Sequence, residues 1–154
     1  MRILKIAGLS VLYGLLGFSR EYLFESINIK LFYLWRDEYD VIMEETLAFL
    51  NDYSYWTLYW LKWLLTGLYT GLYLIAALVV VRMFFPAHYK KYVIISYLIV
   101  IALAIITFGS GYLIKNVDSN YAVTRQLMEW LQSPIMLLVL IPGFLLLKNK
   151  KEGV

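Results

Sequence analysis

The chain has 154 residues, 62% of them hydrophobic, and its mean hydropathy is +0.68. Soluble domains hold about 45–50% apolar residues, so this composition excludes an ordinary soluble domain and indicates a membrane protein. The sequence contains no cysteine and one histidine, His88, which excludes disulfides, thiol chemistry and multi-histidine metal or haem sites. Its net charge of +3 is too small to indicate a nucleic-acid partner.

The first predicted span is the apolar run that follows Arg2 and Lys5. About 20 residues cross a bilayer, so this span is expected over residues 3–22, with Arg20 and Glu21 at its far boundary. A short apolar run behind basic residues is also typical of a signal peptide. No A-x-A pattern follows the run, and we therefore expect the segment to be retained.

A polar outer loop is predicted over residues 25–52, where seven acidic and two basic residues leave a charge of −5. The simplest interpretation is a solvated connector that carries one interfacial amphipathic helix of about three turns. The apolar residues that recur at helical spacing are Tyr39, Ile42, Met43, Leu47 and Leu50. The acids Asp40, Glu44 and Glu45 could hold a hard cation, but acidic loop segments are usually solvated, and no metal is expected.

Two further spans are predicted over residues 57–81 and 92–113, separated by a turn at Pro86, which cannot continue a helix. The first of them contains a single charge, Lys62, about 20 residues before Arg82. Because that distance matches the thickness of a bilayer, Lys62 is expected at the outer interface, between two tryptophans of an aromatic belt.

Small residues mark both of these spans. Gly67 and Gly71 form a GxxxG pattern, which is typical of close packing against another membrane helix. Gly109 and Gly111, near the end of the third span, indicate either tight packing or a local kink, or else only the ordinary glycine use of membrane helices.

The last predicted span, residues 126–147, is an apolar run interrupted by two prolines and preceded by a charged, amphipathic segment. Arg125 and Glu129 are four residues apart, so they share a helical face and can pair. Pro134 is expected to kink this helix, and the Gln-Ser pair before it offers polar groups to the freed carbonyls. The kink either shapes a groove for a partner or lipid, or only fits the helix to its neighbours.

The distribution of charge predicts the topology. Eight basic residues and one acid lie at one end of the predicted spans, whereas ten of the eleven acids lie at the other. By the positive-inside rule both termini are cytoplasmic and the acidic loop faces outward. We therefore expect an all-α, single four-span domain of residues 1–154, a four-helix bundle surrounded by lipid in the bacterial inner (plasma) membrane. The predicted inner anchors are Arg82, Lys90, Lys91, Lys148, Lys150 and Lys151.

Aligning the four spans by length brings six ionisable residues into one outer layer. Charges inside a membrane are costly and tend to face partners or cavities, so this layer is a candidate site, with the acidic loop folded over it as a cap. The alternative is that each long side chain separately reaches water. The six residues are Arg20, Glu21, Lys62, Lys115, Arg125 and Glu129.

The closing part of the chain combines an Arg-x-Leu element, a Gln-Ser-Pro and an Ile-Pro-x-Phe ending, formed by Arg125, Leu127, Gln132, Ser133, Pro134, Ile141, Pro142 and Phe144. Near the start, residues 20–24 read Arg-Glu-Tyr-Leu-Phe. Together these elements resemble the exosortase-system-associated membrane proteins, small inner-membrane proteins encoded near exosortases. The resemblance implies an accessory role and carries over no catalytic residue, because the exosortase itself uses a catalytic cysteine that this chain lacks.

No P-loop, Gly-x-Ser-x-Gly or His-Glu-x-x-His pattern occurs in the sequence, so we expect no enzymatic activity, no catalytic residue and no cofactor. The leading hypothesis is a non-enzymatic accessory or scaffold subunit of an inner-membrane assembly. It would bind other integral membrane proteins through Gly67, Gly71 and the kink at Pro134. The alternatives are a small oligomeric transporter or channel, and a supernumerary subunit of a respiratory or secretion complex.

Overall fold

The computed structural model describes residues 2–36, 45–114 and 117–152, and within these ranges the chain is all-helical, as predicted. A short 3-10 helix, Glu45–Leu50, lies between the first two α-helices. The α-helices are α1 Arg2–Trp35, α2 Tyr55–Phe84, α3 Tyr89–Ile114, α4 Val117–Leu131 and α5 Ile135–Glu152.

Two of the described helices, α2 and α3, are long and apolar enough to cross a membrane, and the bent pair α4–α5 gives a third if it counts as one span. The four-span prediction is thus confirmed in part. Helix α1 is not among the helices that qualify along their described residues.

The chain divides into two compact units, whose boundaries fall inside α1 and α2. The first, here called the loop unit, is Gly14–Tyr69. The second, the hairpin unit, comprises Met1–Tyr13 and Thr70–Val154.

In the loop unit, α1 continues to Trp35, well beyond the predicted end of the first span at residue 22. Residues 25–35 are therefore helical rather than part of a loop. Ile27 and Leu31 lie one turn apart on α1 and are buried in the core of this unit, which gives the extension an apolar side to pack. The buried core residues are Ile27, Leu31, Leu47, Leu50 and Leu58.

Only the last part of the predicted amphipathic helix lies within the described residues. Leu47 and Leu50 are buried, on a 3-10 helix rather than an α-helix. Tyr39, Ile42, Met43 and the acids at 40 and 44 lie outside the described residues, so the predicted cap stays a prediction. After this segment, Ser54 begins α2 as its N-cap, since its hydroxyl accepts a hydrogen bond from the Thr57 backbone N–H.

In the hairpin unit, α4 packs antiparallel to α3. The connection between the spans predicted over residues 92–113 and 126–147 is shorter than expected, because α4 already begins at Val117. Buried apolar side chains from α2, α3, α4 and α5 form the core of the unit. They are Ala77, Val80, Val81, Tyr89, Val93, Tyr97, Leu131, Met136, Leu137 and Phe144.

The kink predicted at Pro134 is a break between two helices that differ in direction by 62°. Ser133 stabilises it locally, since its hydroxyl donates to the Trp130 carbonyl and accepts from the Ile135 N–H. Pro142, the second proline, lies inside α5 without ending it.

Beyond the break, α5 reaches the start of α3. The Phe144 ring centroid lies 5.5 Å from that of Phe85, 4.9 Å from Tyr89 and 6.4 Å from Tyr92. The α4–α5 pair therefore follows α3 from its last turn back to its first.

Candidate functional site

A row of polar contacts fixes α4 against α3. The Asn120 side-chain amide donates to the Thr107 carbonyl and to the Ser110 hydroxyl, both at 3.1 Å. One turn later, the Thr124 hydroxyl lies 3.5 Å from the Ala104 carbonyl and 2.8 Å from that of Asn120. Except for the bond from Thr124 to Asn120, which lies within α4, each contact joins a side chain of α4 to the backbone or a hydroxyl of α3. Together these contacts between the helices set their register.

Gly111 makes this close approach possible. A Cβ built on Gly111 would lie 2.5 Å from the Asn120 Cβ, closer than real side chains come. A Cβ at Gly109, by contrast, would meet nothing within 4 Å. Tight packing, one of the two interpretations of these glycines, therefore applies to Gly111, whereas Gly109 fits the ordinary use of glycine in membrane helices.

The register places Arg125 and Glu129 at a depth that differs from the alignment by span length. Thr124 faces Ala104, and each residue along α4 moves one residue back along α3, so Arg125 and Glu129 are level with about residues 103 and 99. The apolar stretch of α3 is Tyr89–Gly111. Both residues are therefore level with its interior, whereas the alignment by length had put them at its end.

Arg125 and Glu129 form an ion pair, with Arg125 Nε donating to Glu129 Oε1 at 2.9 Å. The spacing of four residues predicted that they could pair, and here they do so within one helix. Their side chains are 60% and 42% exposed. The pair thus lies on the outer side of the hairpin unit, facing away from α3.

Gln132, the polar residue at the helix break, is buried and hydrogen-bonded within the chain. Gln132 is 3% exposed, and its amide donates to the hydroxyl of Thr70, which is 8% exposed, over 3.1 Å. Because this bond ties the break to α2, it supports the interpretation in which the kink fits the helix to its neighbours.

In the loop unit, Tyr69 joins α2 to α1. Its hydroxyl donates to the Ser19 hydroxyl at 3.0 Å, and its ring packs at a steep angle against that of Phe24, with 6.0 Å between the centroids. The Arg20 guanidinium lies over the same Phe24 ring, 5.3 Å from its centroid. The shared depth predicted for Arg20 and Lys62 stays a prediction.

Replacing Tyr69 by phenylalanine is expected to lower the free energy of unfolding by about 0.5–1.5 kcal/mol, because the buried hydroxyl loses its bond to Ser19. Tyr13→Phe is the matched control, since the buried Tyr13 hydroxyl has no hydrogen-bond partner in the described part of the chain. Thermal unfolding in mild detergent measures both. Equal losses in the two variants would contradict the prediction.

The other residues predicted for the outer layer and the inner anchors either take no part in the contacts described above or lie outside the described residues. Glu21 is exposed on α1, and Arg82 is exposed in the last turn of α2. Lys91 is exposed and Lys90 half-buried at the start of α3, where the His88 ring packs 4.3 Å from that of Tyr89. Lys115 and the side chains of Lys148, Lys150 and Lys151 lie outside the described residues, so the complete outer layer and inner anchor set stay predictions.

Gly67 and Gly71 lie on a side of α2 that the described helices leave open. A Cβ at either position would meet nothing within 4 Å. The GxxxG pattern is thus not used for packing within the described chain.

Asn120, Thr124 and Thr70 are among the contact residues that the sequence did not predict. Asn120 and Thr124 are one turn apart on the same side of α4, a spacing that is visible in the sequence. Their partners on α3 are mostly carbonyl oxygens, which no side-chain pattern reveals.

The chain matches no family model, and no curated protein or solved structure is significantly similar to it. Among the described side chains, no group of three or more histidines and acids is placed to hold a metal ion.

Proposed function

We propose that the chain is a non-enzymatic accessory or scaffold subunit of an inner-membrane protein assembly, with exosortase-linked protein processing as the setting that the resemblance suggests. In this proposal α1 and the α4–α5 pair cross the membrane together with α2 and α3, and both termini are cytoplasmic. Its partners are membrane lipids and other integral membrane proteins.

The observation that carries the proposal is the open side of α2. Gly67 and Gly71 lie one turn apart there, and exposed apolar side chains flank them, among them Leu64, Leu68 and Ile75. Two glycines at this spacing let a second helix approach closely, so that van der Waals contacts along both backbones drive association in lipid. In this proposal a helix of another protein packs against that side of α2.

The proposal is tested by purifying the tagged full-length protein from its native membranes in mild detergent and identifying the proteins that travel with it. The double change Gly67→Leu and Gly71→Leu is expected to reduce recovery of the partner at least about tenfold, because leucine side chains hold the two backbones apart. Gly109→Leu is the matched control, since that position is also open but lies on α3. Unchanged recovery of the same partner with the double variant would overturn the proposal.

A second candidate, a small oligomeric transporter or channel, is favoured by the Arg125–Glu129 pair. Ionisable residues level with the interior of a membrane helix often line ion or proton pathways. Ion flux into liposomes that contain only the purified chain, abolished by changing both residues to leucine, would favour transport over the accessory role.

A further inference from the structure

Three basic residues flank the turn that joins α2 to α3. Arg82 is exposed in the last turn of α2, whereas Lys91 is exposed and Lys90 half-buried in the first turn of α3. Only residues 85–88 separate the two helices, so all three cations lie at the same end of both. They are here called the turn cations.

The turn cations are not neutralised by acids of the described chain. The sequence contains no Asp or Glu between Asp52 and Asp118, so neither α2 nor α3 supplies one. On α4, Glu129 pairs with Arg125 of its own helix. Among the described residues, no ion pair involves any of the turn cations. Their charge therefore needs a counter-charge from outside the described helices.

Helix α5 brings further basic residues to the same end. The ring centroids of Phe144 and Tyr89 are 4.9 Å apart, which puts Phe144 beside the first turn of α3. Beyond Phe144, α5 continues for two turns to Glu152. Three lysines occur in these two turns, Lys148, Lys150 and Lys151. With the turn cations, six basic residues and one acid thus belong to this end of the hairpin unit.

The turn cations lie where apolar helices meet the membrane surface. Helices α2 and α3 are each long and apolar enough to cross a membrane, so a short turn between them lies at its boundary. Ile95 and Leu98 follow Lys91 along the same face of α3, at steps of four and three residues, and both are exposed. On α2, Val79 is exposed one turn further into the apolar layer than Arg82. Each helix therefore presents an exposed cation at the surface and exposed apolar side chains beneath it.

We propose that anionic phospholipids bind at this end of α2 and α3, with their phosphate groups on Arg82 and Lys91. Their acyl chains lie along the exposed apolar side chains of the same two helices. A phospholipid has the matching order of groups, an anion at the surface and hydrocarbon beneath it. A soluble acidic protein would match the cations alone. The proposal holds for either orientation of the chain in the membrane, goes beyond the accessory role and does not depend on it.

The first test measures which lipid collects beside the turn. Because the sequence has no cysteine, Ala87→Cys places a single fluorescent probe at an exposed position between the two helices. The full-length protein is reconstituted in phosphatidylcholine vesicles that contain a small share of spin-labelled phosphatidylglycerol or spin-labelled phosphatidylcholine. Quenching is expected to correspond to a local concentration of phosphatidylglycerol at least about tenfold above that of phosphatidylcholine. Equal quenching by the two labelled lipids would overturn the proposal.

The second test assigns this preference to the turn cations. Arg82→Gln together with Lys91→Gln is expected to lower the preference for phosphatidylglycerol at least about fivefold, because two cations at the surface are lost. Arg36→Gln together with Lys62→Gln is the matched control, since it removes as many cations from the loop unit. It is expected to leave the preference at position 87 unchanged. Equal losses in the two double variants would overturn the proposal, because the preference would then follow net charge alone.

A charge-conserving variant separates charge from side-chain shape. Arg82→Lys together with Lys91→Arg is expected to keep the preference, and thermal unfolding is expected to be the same in all variants because both positions are exposed. Loss of the preference in this variant would contradict a headgroup held by charge.

The lipid tests can be told apart from the test of the accessory role. Capture of a partner through Gly67 and Gly71 is measured with unmodified turn cations, and it can fail while the lipid preference is retained. If a captured protein is lost with Arg82→Gln and Lys91→Gln while both lipids quench equally, an acidic protein covers this end and the proposal is wrong.

Discussion

Gly111→Ala is expected to lower the free energy of unfolding by about 1–3 kcal/mol, the usual cost of forcing an extra group into a packed site. The new methyl group would come within 2.5 Å of the Asn120 Cβ, which sits next to the backbone and cannot rotate away. Helix α4 would have to move, and the bonds from Asn120 to Thr107 and Ser110 would stretch with it. Thermal unfolding of the purified protein in mild detergent measures the loss.

The control for this prediction lies two residues away. Gly109→Ala adds the same methyl group where nothing lies within 4 Å. Because alanine is favoured over glycine inside a helix by roughly 0.5–1 kcal/mol, this variant is expected to be as stable as the parent or slightly more so. If both alanine variants were equally stable, the close approach of α3 and α4 at Gly111 would be refuted.

Gln132→Leu is expected to cost about 1–2 kcal/mol, at the upper end of the range for hydrogen bonds between membrane helices. Both partners of the bond are buried, and the change removes the Gln132 amide, which donates to the Thr70 hydroxyl at 3.1 Å. Since the bond also holds the helix break against α2, its loss is expected to loosen the 62° angle between α4 and α5.

A double-mutant cycle separates the hydrogen bond from the change in side-chain shape. Thr70→Val removes the other partner, and the double variant replaces both by apolar groups. The double variant is expected to lose less stability than the sum of the single variants. In each single variant one polar group, the Gln132 amide or the Thr70 hydroxyl, is left opposite an apolar side chain, whereas the double variant removes both groups. Strictly additive losses would show that the Gln132–Thr70 bond contributes nothing.

Helices α2 and α3 could be predicted from the sequence because their signals are local. Each is a long apolar run, and the turn at Pro86 separates them. A kink at Pro134 could be predicted in the same way, since proline removes a backbone hydrogen-bond donor wherever it occurs. Its angle could not, because a local sequence pattern does not show long-range contacts at the break such as the bond from Gln132 to Thr70, 62 residues away in the chain.

The length of α1 and the register of α4 could not be predicted for a different reason. Beyond residue 22, polar residues such as Glu25 and Lys30 alternate with Ile27 and Leu31, and tertiary packing decides whether such a segment is helical. In the candidate site, the pairing of Arg125 with Glu129 followed from their spacing. Their depth did not, because it is fixed by side chains of α4 that bond to carbonyl oxygens of α3.

The polar row between α3 and α4 bears on how the protein enters the membrane during synthesis. Helix α4 has 15 residues that include Asp118, Arg125 and Glu129, and such a segment does not partition into lipid as an independent helix. Helix α3 does, and it leaves the ribosome first. The bonds of Asn120 and Thr124 to α3 therefore hold this polar helix against an apolar helix that is synthesised before it.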